Sequence, residues 1–162
     1  MNESLRTNGF ITRIVEKYSD TLIRVCFSYM KNMNDAEDIA QEVFIKLMEK
    51  KPSFEDSEHE KAWLIRVAVN MSKNRLKTAW FRKTQPLDEV SYSFTPKEST
   101  VISAVLELPA KYRGVILLYY FEGYSISEIA GILGEKESTI GSQLSRARKL
   151  LKTNLGEDFD NE

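Results

Sequence analysis

Hydrophobic residues along this chain recur every three or four positions and nowhere sustain an alternating pattern, which predicts helices and no strand of any strength. The most regular stretch is DAEDIAQEVFIKLMEK (Asp35–Lys50). There Ala36, Ile39, Ala40, Val43, Phe44, Leu47 and Met48 form one unbroken apolar stripe. Asp35 is the predicted N-cap, with Glu37 and Asp38 placed favourably at the positive end of the helix dipole. Asp38, Gln41, Glu42 and Ile45 keep the same spacing on the outer face, so a second, mostly polar stripe backs the apolar one.

A long helix is predicted upstream over Phe10–Lys31, where Phe10, Ile14, Val15, Tyr18, Leu22, Ile23, Cys26, Phe27 and Met30 keep helical spacing until Asn32-Met33-Asn34 breaks it. Downstream, Lys51–Glu60 reads as a polar loop opened by Pro52. A basic helix then runs from about Lys61 to Trp80, with Trp63, Leu64, Val67, Ala68, Met71 and Leu76 as its apolar face. Residues 61–83 hold seven cations and no acid, the reverse of the helix before them, which suggests a protein surface as partner for one and a polyanion for the other.

Periodicity disappears between Lys83 and Thr100, where Pro86, Pro96 and scattered Ser and Thr mark a linker. Helical patterns return at Val101–Leu108, ended by Pro109, and at Ala110–Phe121, closed by Gly123. Ser125-Ile-Ser-Glu128 is a capping box opening a short helix to Leu133, with Ile129, Ala130 and Leu133 turned inward. Gly134 makes a tight turn, and Ser138 starts a longer helix with Ile140, Leu144, Ala147 and Leu151 inside. That arrangement is a helix-turn-helix, whose outer side presents Thr139, Ser142, Gln143, Arg146 and Lys149 to base edges and phosphates. An ordinary helical hairpin with a solvated basic face is the plainer alternative.

Composition narrows the function. The 162 residues are 42% hydrophobic with net charge −1, enough for one medium core or two small ones, and too balanced for a protein that coats nucleic acid by bulk charge. The single cysteine, Cys26, excludes an internal disulfide and sits in an apolar run, as a buried inert thiol. No apolar run is long enough to span a bilayer, so a soluble, cytoplasmic protein without membrane insertion is expected. His59 is the sole histidine, with no cluster of ligands around it, and no nucleophile–base pair, phosphate-cradling glycine loop or paired carboxylates appear. The expectation is no metal, no cofactor and no catalytic site.

LPAKYRGVILLYYFEGYSISEIAGILGEKESTIGSQLSRARKLL resembles the promoter-binding C-terminal domain of bacterial sigma factors, and DAEDIAQEVFIKL followed by WLIRVAVNMSKNRLK is similar to their N-terminal module. Two such modules with nothing between them resemble the extracytoplasmic-function (ECF) subfamily of the sigma-70 family. The resemblance implies an all-α protein of two small helical domains, a sigma-2-like bundle over 1–82 and a sigma-4-like helix-turn-helix domain over 101–156. A flexible linker over 83–100 would join them, and an acidic tail over 157–162 would follow. It implies a non-enzymatic subunit that binds core RNA polymerase and directs it to promoters. Asp38, Gln41, Glu42 and Ile45 match the positions that dock on the beta-prime clamp coiled coil, and the C-terminal module would meet the beta flap. The loop Ser53–Glu60 would hold a base flipped from the minus-10 element, a step that costs a few kcal/mol. Asn70 would lie beside the extruded strand, and Arg66, Lys73, Asn74 and Lys77 on backbone phosphates. Promoter DNA and an anti-sigma factor are the remaining candidate partners.

Two departures stand out from that family pattern. The recognition helix reads Thr139-Ile140-Gly141-Ser142-Gln143, without two cations that relatives commonly carry, and Tyr119 stands where a basic residue is frequent. Weakened or altered minus-35 binding is expected. A stand-alone helix-turn-helix repressor leaves the acidic stripe and the basic helix unexplained. A non-DNA adaptor requires that Gly141 and Gln143 abolish DNA contact.

Overall fold

The computed structural model describes residues 2–78 and 96–155, and every regular element among them is a helix. The chain divides into two compact units, Met1–Pro86 and Leu87–Glu162. In the first, α1 (Asn2–Met30), α2 (Met33–Lys50) and α3 (Ser57–Leu76) all pack on one another. Their core includes Ile14, Leu22, Cys26, Ile39, Val43, Leu47, Leu64, Ile65 and Ala68, all nearly without exposure. Each large apolar side chain in it contributes about 1.5–3 kcal/mol relative to exposure.

The helix boundaries depart from expectation for local reasons. Asp35 is not the N-cap of α2: Asn32, in extended conformation, accepts the Asp35 N–H at 3.0 Å through its side-chain oxygen. Asn caps as well as Asp does, so the helix starts earlier and the Asp35 carboxylate is left for another role. The preceding and following stops are made by Lys31 and Lys51, both left-handed at φ 58 and 47. Lysine carries no sequence signal for that conformation, which favours glycine. The Lys51 N–H closes α2 onto the Leu47 carbonyl at 3.0 Å.

α3 begins four residues before the expected Lys61, because Asp56 accepts the His59 N–H at 2.8 Å and caps it. Its inward face is also rotated by one position. Leu64, Ile65, Ala68, Val69 and Ser72 are buried, whereas Trp63, Val67, Met71 and Leu76 are only half-buried. Ser72 is completely buried, and its polarity hid it from a hydrophobic pattern. In α2, Met48 leaves the predicted apolar stripe and is exposed. α3 ends at Leu76, short of the expected Trp80, because Lys77 caps it and the Lys77 and Thr78 N–H groups turn back to the Asn74 and Arg75 carbonyls at 3.2 and 3.3 Å. Residues 79–95, with most of the expected linker, and the acidic tail lie outside the described residues.

In the second unit α4 (Pro96–Leu106), α5 (Ala110–Ile116), a π-helical turn (Leu117–Phe121), α6 (Ile126–Leu133) and α7 (Glu137–Leu155) follow in order. α4 starts within the segment expected to be linker, with Pro96 as its first residue, a position proline suits because its missing N–H has no helical partner there. α7 is the keel, packing on α4, α5 and α6. Ile140, Leu144, Ala147 and Leu151 are completely buried on it, as the spacing predicts. α6 turns Ile129, Ala130 and Ile132 into this core, with Leu133 half-buried at the helix end. Arg113 is buried and donates to the Leu108 carbonyl, tying α5 to the turn before it.

Cys26 has no exposure, and burial pushes its thiol from 9.0 up to about 12. The folded value is the higher one, so this stabilising contribution is present below pH 9 and lost as pH rises toward 12. Tyr18, raised from 10.0 to about 12 chiefly by burial and then by its bond to Glu60, adds a loss of the same sign at slightly higher pH. Thermal midpoints measured from pH 8 to 11 should therefore fall more steeply for the native chain than for Cys26→Ala. A thiol reagent at pH 8 should label the folded chain at least about a hundredfold more slowly than the urea-unfolded one, since reaction waits on opening. Equal labelling rates would contradict the burial.

Candidate functional site

α2 buries Ala36, Ile39, Ala40, Val43, Phe44 and Leu47, which leaves the opposite side of the cylinder to solvent. Asp38, Gln41, Glu42 and Ile45 are all exposed there, as their spacing requires. Ile45 is 49% and Met48 41% exposed, one turn apart, so the acidic stripe carries an apolar patch. Met48 is a member of this face that pattern reading assigned to the core. An outward-facing Ile–Met pair beside carboxylates suits a partner surface better than water.

α3 turns its polar side away from the same core. Arg66, Asn70, Asn74 and Lys77 are exposed and Lys73 is half-buried. Positions 66, 70, 73, 74 and 77 fall at helical intervals opposite Leu64, Ile65, Ala68, Val69 and Ser72, so they share one face. Arg75 does not join them. It sits nearer the core side of the last turn, half-buried, and its guanidinium reaches across to α2: 3.1 Å to Glu42 and 3.7 Å to Asp35.

The expected base-binding loop, Ser53–Glu60, divides between loop and helix. Residues 51–56 precede α3, and Ser57–Glu60 are its first turn. The Glu55 N–H donates to His59 Nδ1 at 3.2 Å while the His59 N–H donates to Asp56, so backbone and side chains pin each other. Phe54 stands edge-on to His59 (centroids 5.3 Å) and to Trp63 (5.9 Å). Trp63 is thus a half-buried wall beside the loop rather than a core residue. Glu60 is buried, accepting from the Tyr18 hydroxyl at 2.9 Å and from Arg13 at 3.3 Å. Phe54 and Glu60 escaped sequence reasoning. A polar stretch ending at a cap residue three positions before His59 was the one available signal.

In the second unit both halves of the capping box form, with Glu128 N–H to Ser125 Oγ at 3.1 Å and Ser125 N–H to Glu128 Oε1 at 3.0 Å. Gly134 closes α6 at φ 68, a left-handed conformation that a side chain would strain. These two signals fix the tight turn that sets α7 across α6. On α7, Ser142, Arg146 and Lys149 are exposed, and Thr139 and Gln143 are half-buried along the same side. A Cβ added at Gly141 would meet no described atom within 4 Å. No packing constraint of the described structure requires glycine there.

The π-helical turn explains Tyr119. The Glu122 and Tyr124 N–H groups reach back to Leu117 and Leu118 carbonyls at 3.0 Å, and Gly123 takes φ 76. This widened turn rotates Tyr119 and Tyr120 toward α7. There Arg148 donates to the Tyr120 hydroxyl at 2.7 Å and stacks over the two rings at 5.5 and 5.7 Å. Its guanidinium is held charged by that bond, which raises its pKa further. Arg148 therefore braces α7 against the π-helical turn, and Arg146 and Lys149 remain as the exposed cations of the helix's middle.

Among the described residues no three His, Cys, Asp or Glu side chains gather as a metal site, and no helix is long and apolar enough to cross a membrane. Residues 14–82 match the family "Sigma-70 region 2", and residues 99–151 match "Sigma-70, region 4". The ECF RNA polymerase sigma factor SigW of Bacillus subtilis is 30% identical over 88% of this chain and 87% of its own length. RNA polymerase sigma factor SigV from the same organism is 28% identical over 96% of both chains. The sigma factor RpoE of Bartonella quintana, solved in complex with the anti-sigma factor NepR, superposes with a TM-score of 0.72 at 25% identity, over 91% of this chain and 97% of that one. With two exposed faces on one N-terminal bundle, a capped helix-turn-helix after it and these matches in the same order, the chain belongs to the ECF group of sigma-70 RNA polymerase sigma factors and directs transcription initiation.

Proposed function

We propose that the outer face of α2 docks on core RNA polymerase while the polar face of α3 and the outer side of α7 engage the minus-10 and minus-35 elements of promoter DNA. The observation that carries this reading is the pairing of stripes on α2. Its inward stripe is buried, and the opposite stripe keeps Asp38, Gln41, Glu42, Ile45 and Met48 in solvent. The clamp coiled coil of the beta-prime subunit is the proposed seat. Ile45 and Met48 supply apolar area there, and the three polar side chains set register and specificity.

On this reading residues 1–82 form the polymerase-binding and melting module, 83–100 the connection, and 101–156 the minus-35 module, which also meets the beta flap. Arg66, Lys73 and Lys77 take phosphates as the duplex opens, and Asn70 and Asn74 lie beside the displaced strand. The Phe54–Trp63 wall and the pinned loop receive a flipped base, recovering by stacking part of the few kcal/mol that extrusion costs. The phosphodiester chemistry belongs to the polymerase, so this chain needs no catalytic group. The protein works in the cytoplasm, where polymerase and promoters are. The solved complex of the Bartonella relative with NepR supports an anti-sigma factor as a further partner.

Gln41→Ala combined with Glu42→Lys should abolish co-purification with core polymerase and leave the helical circular-dichroism spectrum intact, since both side chains are exposed. Unchanged binding by the folded double variant overturns the docking assignment. On α7, Arg146→Ala should relax discrimination at one minus-35 position by about 1–3 kcal/mol, the worth of a bidentate arginine–guanine pair. Gly141→Lys should instead raise activity nearly uniformly across minus-35 variants and steepen the salt dependence by about one unit, because it adds a phosphate contact where space is open. Run-off transcription with minus-35 variants at several salt concentrations reads both. Loss of activity on every promoter with Gly141→Lys means that the backbone at Gly141 must approach DNA closely.

A further inference from the structure

Among the cations of α3, Arg75 is set apart by where its charge goes. It leaves the polar face formed by Arg66, Lys73 and Lys77 and spans to α2, with Nη2 at 3.1 Å from Glu42 Oε1 and Nη1 at 3.7 Å from Asp35 Oδ1. Asp35 and Glu42 are one heptad apart, on the edge of α2 that faces α3. Glu42 is at the same time a member of the exposed stripe with Asp38 and Gln41. One carboxylate thus belongs to the docking face and to the contact between the two helices.

We propose that Arg75 is a positioning residue for polymerase docking. It holds the Glu42 carboxylate in the orientation that core polymerase recognises and fixes the docking edge of α2 to the last turn of α3. This inference rests on the docking reading of α2 and adds a residue that contacts neither polymerase nor DNA. A glutamate side chain half-exposed on a helix samples several rotamers, and a partner that captures it must order it. A planar guanidinium whose other end is committed to Asp35 does part of that ordering before the partner arrives.

Charge alone predicts the opposite sign. If Arg75 only neutralises the acidic face, removing it makes that face more negative and strengthens its attraction to a basic partner. If Arg75 positions Glu42, removing it weakens docking although the face becomes more acidic. The sign of the change in core affinity therefore separates the two roles.

The experiment measures core-polymerase affinity of the full chain carrying Arg75→Gln, Glu42→Gln, both together, and Arg75→Lys, after circular dichroism has established that each is folded. Arg75→Gln should weaken core binding by about five- to tenfold, the scale of one side chain's lost preorganisation. In the Glu42→Gln background the same change should have less than about a twofold effect, because residues that act through each other are not additive. Arg75→Lys, which keeps the charge and the fold but can serve one carboxylate at a time, should fall between Gln and the native chain. The salt dependence of DNA binding by the free chain should be the same for Arg75→Gln as for the native protein, which a lost phosphate contact would not allow. Stronger core binding by Arg75→Gln, an equal loss in both backgrounds, or a salt slope reduced by about one unit overturns the proposal. If Glu42→Gln itself leaves core affinity unchanged, the docking reading and this inference fall together. If Glu42→Gln weakens binding and Arg75→Gln does not, only the inference falls.

Discussion

An amphipathic helix can bury one stripe of its surface and must leave the opposite one to solvent, and the N-terminal unit depends on this constraint twice. α1 lies against both α2 and α3, and the shared core of Ile14, Leu22, Ile39, Val43, Leu64 and Ala68 fixes the rotation of each helix about its axis. Once that rotation is set, Asp38, Gln41, Glu42 and Ile45 face outward on α2, and Arg66, Asn70, Asn74 and Lys77 on α3. A sigma factor has to hold a polymerase and a DNA strand with one small body. On the proposed reading, two helices that share a core and present an acidic face on α2 and a basic face on α3 serve that need. The Arg75 bridge to Glu42 and Asp35 ties the two helices on the surface side as well.

The C-terminal unit applies the same constraint to a single helix. α7 is buried along Ile140, Leu144, Ala147 and Leu151 by α4, α5 and α6 together, so its outer side can only be the one carrying Ser142, Arg146 and Lys149. The capping box at Ser125 and the left-handed Gly134 hold α6 at the angle that makes this possible. Arg148 lies off that outer side, beside the buried face, and is held there by Tyr119 and Tyr120. The aromatic residue at Tyr119, an oddity beside the family pattern, has a packing reason in this chain.

Legibility in the sequence followed the strength of local signals. The stripes of α2 apart from Met48, and the inner face of α7, could be read directly from spacing, and the Ser125–Glu128 cap from its own local chemistry. The inner face of α3 was misread by one residue. Trp63 and Met71 looked like core, while Ser72 is what the neighbouring helices enclose, and a buried serine carries no hydrophobic signal. Lys31 and Lys51 act as left-handed stops in place of glycine, and Asn32 outcompetes Asp35 as cap. The first turn of α3 was hidden in a stretch that reads as a polar loop because its buried member is Glu60, satisfied by Tyr18 and Arg13 from far away in the chain. Of the candidate site, outward placement of the α2 and α7 residues was legible. The Arg75 bridge, the Phe54–Trp63 wall and the exposure of Met48 were not, since each depends on a partner from another element.

The most direct measurement is to map transcript 5′ ends made by purified core polymerase on genomic DNA, with and without the full chain. The account predicts a set of new start sites that core alone does not use, each preceded by two recurring sequence elements at a fixed separation. No new start sites with a folded chain that binds core, or specific occupancy of duplex DNA by the chain alone at physiological salt, would contradict it.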